Sequence, residues 1–298
     1  MRNAPATHKS PKLISVVTPT LNGAMTIAEQ LGALAAQTYE GEWELVVADN
    51  GSTDTTLEIV RQWEDKLPRL RIVEVTDAKG VSHAINGGIG SSEGDFIVFC
   101  MQDDVVGRGW LSAMAEAAQR CDLVGGSIDN HKLNEPIAIS WQPSHPEGEP
   151  RTALNFLPFV VGANLGIWAD VSQHLGGWSE EFTNGGEDVD LCWRAQLASF
   201  RFCYAPDAVV HFRYRADLKA LWRQFRRYGM ADTQLYRRFR DQGVGRSGIS
   251  GALKSWARAA VEIPMLVGRP ERKGKWVRQV AYRWGRIQGS VRNRVLYL

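Results

Sequence analysis

Acidic and amide side chains follow an apolar run in the middle of the chain. Residues 96–101 are six consecutive apolar residues, and Gln102, Asp103 and Asp104 come next. A short continuous run rich in β-branched and aromatic residues is typical of a strand buried on both faces. The carboxyl ends of such strands form the edge at which α/β sheets bind ligands. Adjacent carboxylates there fit a divalent cation that carries a diphosphate, and a solvated turn is the alternative.

Two earlier strands are also predicted to end in polar residues. The apolar runs 13–17 and 44–48 lead into two short polar segments, which contain Thr18, Thr20 and Asn22, and Asp49 and Asn50. Helical spacing between these runs predicts successive parallel β-α-β units. Because parallel strands end at the same edge, we expect all three polar ends to converge on one ligand.

A second acidic pair, Glu187 and Asp188, opens a helix predicted from residue 187. It follows the turn residues Asn184, Gly185 and Gly186. Taken alone, the pair is typical of acidic residues that stabilise a helix N-terminus through the helix dipole.

The composition is that of a soluble globular protein, with 44% hydrophobic and 23% charged residues in 298. No apolar run reaches the roughly 20 residues of a membrane-spanning helix. The polar segment 1–12 is not a secretory signal, and we expect it to be disordered. The four cysteines lie far apart in the sequence, which predicts buried thiols in a reducing cytoplasm and neither disulfides nor metal ligands.

Charge is strongly segregated along the chain. Residues 201–298 contain 22 Lys or Arg and 6 Asp or Glu, a net charge of +16, whereas the remainder has a net charge of −14. The basic part contains amphipathic helical patterns. It is predicted to meet an anionic membrane surface, a diphosphate or nucleic acid, or to dock on the catalytic domain or a second subunit.

Five sequence blocks occur in an order and spacing that resembles glycosyltransferase family 2. They are residues 15–22 (SVVTPTLN), 46–56 (VVADNGSTDTT), 80–89 (GVSHAINGGI), 101–105 (MQDDV) and the segments within 176–211. The resemblance covers about residues 13–230. It implies the Rossmann-like GT-A fold of nucleotide-diphospho-sugar transferases, with a mainly parallel sheet flanked by helices. The domains expected are a catalytic domain over 13–215 and a basic helical region over 216–298.

The resemblance also assigns roles to single residues. It implies that Asp188 is the general base and that Glu187 orients the loop or touches the acceptor. Asp104 and His211 would hold a divalent cation, Mn²⁺ or Mg²⁺. The nucleotide and its diphosphate would be bound by a larger set: Thr18, Pro19, Thr20, Asn22, Asp49, Asn50, Lys79, Gln102, Asp103 and Arg227.

The chain departs from the family pattern at two places. Gln102 stands where the family's Asp-X-Asp motif has its first aspartate, and Ile85 stands where many members have arginine. An amide oxygen can still bind a cation or a ribose hydroxyl. The contact that this arginine makes to the donor is either missing in this chain or supplied by Lys79 or His83.

The expected function is inverting transfer of a sugar from a nucleoside-diphosphate donor, of UDP or dTDP type, to a hydroxyl acceptor. The acceptor is expected to be a glycan, a lipid-linked acceptor or a precursor of cell-surface polysaccharide. The protein is expected in the cytoplasm, as a peripheral protein on the inner face of the plasma membrane. It is not expected to bind nucleic acid, and its self-association is left open. A non-catalytic nucleotide-sugar scaffold or sensor is the alternative, to be distinguished by donor turnover.

Overall fold

The computed structural model describes residues 10–144 and 148–298. The strands are β1 (Ile14–Thr20), β2 (Trp43–Asp49), β3 (Arg71–Glu74), β4 (Phe96–Phe99), β5 (Val105–Val106), β6 (Leu123–Asp129), β7 (Arg151–Thr152), β8 (Pro158–Phe159), β9 (Leu165–Trp168) and β10 (Phe202–His211). The helices are α1 (Ile27–Ala35), α2 (Thr56–Arg61), α3 (Val81–Gly90), α4 (Trp110–Ala118), α5 (Pro136–Trp141), α6 (Ala169–Leu175), α7 (Glu187–Leu197), α8 (Leu218–Phe239), α9 (Ile249–Glu262) and α10 (Pro270–Asn293).

One sheet organises the described residues, in the strand order β3-β2-β1-β4-β9-β6-β10-β5. Strand β1 pairs in parallel with β2 and β4, and β3 extends the parallel set. Strands β1, β2 and β4 are buried along their whole lengths. This burial explains their nearly continuous apolar sequence, because helices cover both faces of such a sheet. The predicted α/β fold with a mainly parallel sheet is confirmed.

Strand β9 connects the two halves of the sheet, and a 3₁₀ turn, Gly162–Asn164, precedes it. Strand β9 runs antiparallel between β4 and β6, so it joins the β3-β2-β1-β4 half of the sheet to the β6-β10 half. Because β4 and β6 are both antiparallel to β9, they run parallel to each other, and the carboxyl ends of the two halves lie at one edge of the sheet.

Local chemistry explains three features of these elements. Strand β10 continues past Pro206 through a bulge between Ala205 and Val209, where an unpaired residue lacking an N–H is tolerated. Helix α5 begins at Pro136, and proline suits the first turn of a helix because its missing N–H needs no partner there. Asp54, two residues before α2, accepts the Thr56 N–H at 3.1 Å.

The expectation about cysteines was wrong for one pair. Cys121 and Cys203 form a disulfide with their Cα atoms 5.9 Å apart. The pairing of β6 with β10 brings them together, although 82 residues separate them in sequence. Cys100 and Cys192 are buried free thiols, as expected.

The basic helices α8 and α10 pack on the rest of the chain. A buried apolar cluster joins Val189 and Trp193 of α7 to Leu235 and Phe239 of α8 and to Tyr297. Of the surroundings predicted for these helices, packing on the preceding part of the chain is therefore observed. None of the described helices is both long and apolar enough to cross a membrane.

The beginning of the chain was expected to be disordered over residues 1–12. Residues 1–9 lie outside the described part. Asp95 accepts the backbone N–H groups of Lys12 and Leu13, each at about 3 Å. These bonds hold the chain at the entry to β1.

Glycines allow α8 and α10 to approach at backbone distance. A Cβ added at Gly285 would lie 2.0 Å from the carbonyl oxygen of Arg226, whereas one added at Gly251 on α9 would meet open space. We predict that Gly285→Ala lowers the free energy of unfolding by about 1–3 kcal/mol, because the helices must separate. Gly251→Ala, the matched control, should stabilise slightly, since alanine is the better helix former. Thermal unfolding of both variants tests this, and equal melting temperatures would contradict it.

Candidate active site

The ends of β1 and β2 form the first wall of the site. Thr20 is aligned with Asp49 in the parallel register, and the Asn50 N–H donates to the Thr20 carbonyl at 2.8 Å. Asp49 is buried and accepts the N–H groups of Gly51 at 3.0 Å and Ser52 at 2.9 Å. Its carboxylate therefore shapes the turn after β2.

The other residues predicted to bind the nucleotide surround this turn. Thr18 and Thr20 are buried within β1, on either side of Pro19. Asn22 adopts a positive φ of 50° and accepts the Thr53 N–H at 2.8 Å through its side chain. The loops after β1 and β2 are thus tied to each other.

Asn50 and Lys79 connect β2 to the loop before α3. The Asn50 amide donates to the Ala78 carbonyl at 2.7 Å and accepts the Gly80 N–H at 2.9 Å. Lys79 Nζ donates to the Asn50 carbonyl at 2.7 Å. His83, the other candidate for the missing arginine contact, lies between Asp77 and Glu180, with 2.9 Å to each.

Gln102 makes contacts that aspartate could not make. Its Oε1 accepts the Leu21 N–H at 3.0 Å and its Nε2 donates to the Leu21 carbonyl at 2.9 Å. A carboxylate accepts but cannot donate when ionised. Gln102, which replaces the first aspartate of the Asp-X-Asp pattern, thus fixes the loop after β1 against the end of β4.

Asp104 is buried with one oxygen partnered and one not. Its Oδ1 accepts the Arg213 N–H at 2.9 Å, whereas Oδ2 has no hydrogen-bond partner in the described part of the chain. Burial, and then the negative charge of Asp103, raise the pKa of Asp104 well above its usual range. An unsatisfied buried carboxylate oxygen is costly, so this atom fits a cation ligand.

His211 is aligned with Val105, the residue after Asp104, in the pairing of β5 with β10. Its Nδ1 is 2.5 Å from Asp129 Oδ2. Burial opposes ionisation of Asp129, but hydrogen bonds from the His131 N–H and from His211 hold its pKa below the usual range. A carboxylate on Nδ1 leaves the lone pair of the imidazole on Nε2, which is the arrangement of metal-bound histidines.

The described residues contain no preassembled group of three or more His, Cys, Asp or Glu side chains that could hold a metal ion. The fit to a cation therefore depends on Asp104 Oδ2 and His211 only. Cations that bind nucleotides often take one or two protein ligands and complete their coordination with phosphate oxygens and water. The donor set is compatible with such a shared site.

Glu187 and Asp188 begin α7 and share a half-buried environment. Asp188 accepts the Gly162 N–H at 3.1 Å and the Val189 N–H at 2.8 Å. Burial raises the pKa of Asp188, although these bonds favour its ionised form. Burial, and then Asp188, raise the pKa of Glu187 to about 8, and Glu187 Oε2 has no partner among the described residues. With this pKa, Glu187 keeps its proton near neutral pH.

Asp190 anchors α7 between two arginines. Its side chain is fully buried, with Arg194 Nε at 2.7 Å and Arg238 Nε of α8 at 3.1 Å. Arg194 also donates to the carbonyls of Leu175 and Gly177. This network fixes the start of α7.

A cavity of about 600 Å³ lies between the start of α7 and the first half of α8. Glu187 lines it together with four arginines: Arg215, Arg223, Arg226 and Arg227. Arg227 donates to the Thr183 carbonyl at 2.9 Å. Arg215 also forms an ion pair with Asp103 at 3.2 Å, so it connects the end of β4 to this cavity.

Sequence reasoning missed several residues that shape the site. Asp129 orients His211, Gly162 donates to Asp188, and Arg213 and Arg215 contact the acidic end of β4. The alternating pattern His-Phe-Arg-Tyr-Arg over 211–215 was a usable signal, since alternate residues of extended chain point to one side.

A second cavity, of about 580 Å³, lies past the end of β6. Asp129, Arg151, Tyr204, Tyr214 and Lys275 are among the residues that line it. It borders His211 through Asp129, and its polar lining is suited to a hydroxyl-rich molecule.

A family model described as "Glycosyl transferase family 2" matches residues 15–175, which is more than half of the chain. The chain belongs to glycosyltransferase family 2. A second model, "Glycosyl transferase family group 2", matches residues 151–287. As a member of this family, the chain is a glycosyltransferase.

Two curated relatives illustrate the similarity. The chain is 29% identical over 216 residues to glycosyltransferase AglE of Haloferax volcanii, a match that covers 72% of this chain and 71% of that protein. It is 36% identical over 215 residues to validoxylamine A glucosyltransferase of Streptomyces hygroscopicus subsp. jinggangensis. That match covers 61% of this chain and about half (51%) of the relative.

Two solved structures share the fold. The mannosyltransferase PcManGT from Pyrobaculum calidifontis, in complex with GDP-Man and Mn²⁺, has a TM-score of 0.65 at 19% identity and covers 96% of this chain and 89% of its own. S. aureus TarS 1–349 in complex with UDP-GlcNAc has a TM-score of 0.55 at 18% identity, with coverage of 96% and 93%. These likenesses confirm the predicted GT-A fold.

The pKa of Glu187 predicts how stability depends on pH. Because the folded chain keeps the proton up to about pH 8 and the unfolded chain releases it near 4.5, the free energy of unfolding should fall as pH rises through this window. Glu187→Gln should remove this loss, worth about 1.4 kcal/mol per pKa unit. The melting temperature of the variant should then equal that of the wild type near pH 4.5 and exceed it at pH 8. Glu74→Gln, at an exposed position, is the control; a gain independent of pH would contradict the prediction.

Proposed function

We propose that this glycosyltransferase is inverting and metal-assisted, and that it transfers a sugar from a nucleoside-diphosphate donor to a hydroxyl group. The observation that carries the proposal is the paired carboxylate at the start of α7. Asp188 is held by two backbone N–H groups next to Glu187, which retains its proton. The pair adjoins the arginine-lined cavity.

The donor nucleotide is proposed to bind at the ends of β1 and β2. An ionised carboxylate has about four acceptor positions, and Gly51, Ser52 N–H and Ser52 Oγ use three of those on Asp49. The remaining position can accept the imide N–H of a uracil or thymine ring, which favours UDP or dTDP. Asn22, Asn50 and Lys79 are proposed to shape this pocket through the loops that they join.

The diphosphate is proposed to lie between the end of β4 and α8. Asp104 and His211 would hold a divalent cation there, and Mn²⁺ suits an imidazole ligand better than Mg²⁺ does. When bound, such a cation neutralises charge on the phosphate oxygens. Arg227 and Arg215 line the cavity and can donate to the departing diphosphate, because guanidinium groups match phosphate geometry.

The reaction proposed is a single displacement. The acceptor hydroxyl oxygen forms a bond to the anomeric carbon while the bond from that carbon to the diphosphate oxygen breaks. The hydroxyl proton passes to Asp188, whose raised pKa makes it a stronger base than an exposed aspartate. One displacement inverts the anomeric centre, so an α-linked donor gives a β-linked product.

Asp188→Asn tests the role of the base. We expect the turnover number to fall by about 10²–10⁴-fold, with a smaller change in KM for the donor, because the substitution removes proton acceptance. Release of nucleoside diphosphate from a panel of sugar donors, with Mn²⁺ present, is the measurement. Glu181→Gln, on an exposed side chain in the preceding loop, is the control.

Three outcomes of this experiment are informative. Full activity of Asp188→Asn would refute Asp188 as the base. A wild type that binds donors but turns none over would favour the scaffold or sensor. An α-linked product from an α-linked donor, identified by NMR, would refute inversion.

Asp104→Asn tests the cation site without an activity assay. In the wild type, Mn²⁺ with UDP should raise the melting temperature, because ligands of the folded state stabilise it. The variant should lose most of this rise, since asparagine replaces the charged ligand but retains the acceptor for the Arg213 N–H. Asp65→Asn, at an exposed position, should respond like the wild type. An unchanged response of Asp104→Asn would show that the cation binds elsewhere or not at all.

A further inference from the structure

The segment 249–267, which we name the α9 segment, exposes an unusual amount of apolar surface. It comprises α9, the 3₁₀ turn Ile263–Leu266 and Val267. Fourteen large apolar side chains are exposed among the described residues, and six of them lie in these 19 positions. They are Ile249, Leu253, Val261, Ile263, Met265 and Val267, with between 51% and 85% of their surface accessible.

These apolar side chains form one outward face. Leu253, Ala257, Ala260 and Val261 recur at the spacing that places residues on one side of a helix. The opposite side of α9 rests on α10, where Trp276 Nε1 donates to the Ala259 carbonyl at 2.8 Å. Ala259 is the one residue of α9 that is fully covered. The helix is therefore amphipathic with its apolar face toward the outside.

Positive charge surrounds the apolar face. Residues 246–275 contain seven Lys or Arg and two Glu. Lys254 is exposed on α9, and the Arg258 side chain retains 77% of its accessible surface although it pairs with Glu262. Apolar side chains with a basic rim match the interface of a bilayer that contains anionic lipids.

A second copy of this chain is a poorer match to the same face. In a two-fold dimer the same patch of both copies meets. Two α9 segments would then bring two positively charged rims together, and like charges disfavour such contact. An anionic lipid surface covers the apolar side chains and balances the charge at once.

We propose that the α9 segment is a membrane-binding element that lies in the plane of an anionic bilayer surface. Leu253, Val261, Ile263 and Met265 enter the boundary between headgroups and acyl chains, while Lys254 and Arg258 meet lipid phosphates. This inference extends the proposed function by placing the protein at a lipid surface, but it does not rest on catalysis. Its test measures binding alone, so its failure and a failure of the sugar-transfer proposal are distinguishable.

The test is co-sedimentation of the full chain with vesicles. One set contains phosphatidylcholine only, and the other contains phosphatidylcholine mixed with phosphatidylglycerol. The wild type should bind the mixed vesicles and be released in part by salt, because salt screens the basic rim. The double variant Leu253→Gln, Val261→Gln should bind about tenfold or more weakly, since two apolar side chains no longer enter the bilayer.

Two further variants separate the contributions. Lys254→Gln with Arg258→Gln should weaken binding to mixed vesicles and leave any binding to pure phosphatidylcholine unchanged. Met25→Gln removes an apolar side chain that is 93% exposed elsewhere on the molecule. It should bind like the wild type. All these positions are exposed, so thermal unfolding should show intact folding.

Two results would overturn the proposal. One is equal binding of the wild type and the Leu253→Gln, Val261→Gln variant to mixed vesicles, or binding by neither. The other is a wild type that dimerises in sedimentation velocity while that variant is monomeric. This second result would assign the apolar face to a second copy of the chain.

Discussion

The buried side chain of Asn164 holds together the region on which the candidate active site is built. Its Oδ1 accepts the Trp110 indole N–H at 2.8 Å, and its Nδ2 donates to the carbonyls of Ser127 and Ala208 at 2.7 and 2.8 Å. It thereby joins α4, β6 and the bulge of β10 at the point where β9 begins. All hydrogen-bonding capacity of a buried amide must be met locally, so these elements have little freedom to shift. Gly162, two residues earlier, then presents its N–H to Asp188.

The acidic groups of the site are kept where their ionised forms are costly. Burial raises the pKa values of Asp104, Glu187 and Asp188. The three carboxyl groups differ in the number of backbone N–H groups that stabilise the ionised form. Asp104 has one backbone donor, Asp188 has two from other residues, and Glu187 Oε2 has none in the described chain. Such groups reduce stability in the free protein, and ligands that neutralise them regain it. The fold therefore favours a charged ligand before any chemistry takes place.

Structural features could be predicted from the sequence where a local pattern of residues determines the geometry. The apolar runs before Asp49 and Asp104 correctly predicted parallel strands, which end at one edge of the sheet. Contacts between distant segments were beyond this reasoning. Gln102 pairs with the peptide of Leu21, 81 residues earlier, and Cys121 meets Cys203 only because β6 pairs with β10. Family resemblance supplied roles for single residues, but it could not show that the Gln102 side chain forms hydrogen bonds with the backbone of Leu21.

The C-terminal helices contribute to the proposed catalytic arrangement and are more than an attached basic tail. Asp190 of α7 is fixed by Arg238 of α8, and α8 supplies Arg227 to the cavity that Glu187 lines. On its other side α8 packs against α10, and Asp232 of α8 forms a buried ion pair with Arg286 of α10. Breaking a buried pair of this kind leaves an uncompensated charge and is strongly destabilising. The carboxylates of α7, the arginines of α8 and the surface of α10 that supports α9 thus form one continuous packed unit. A force that orients α9 at a bilayer therefore also orients the proposed base relative to that bilayer.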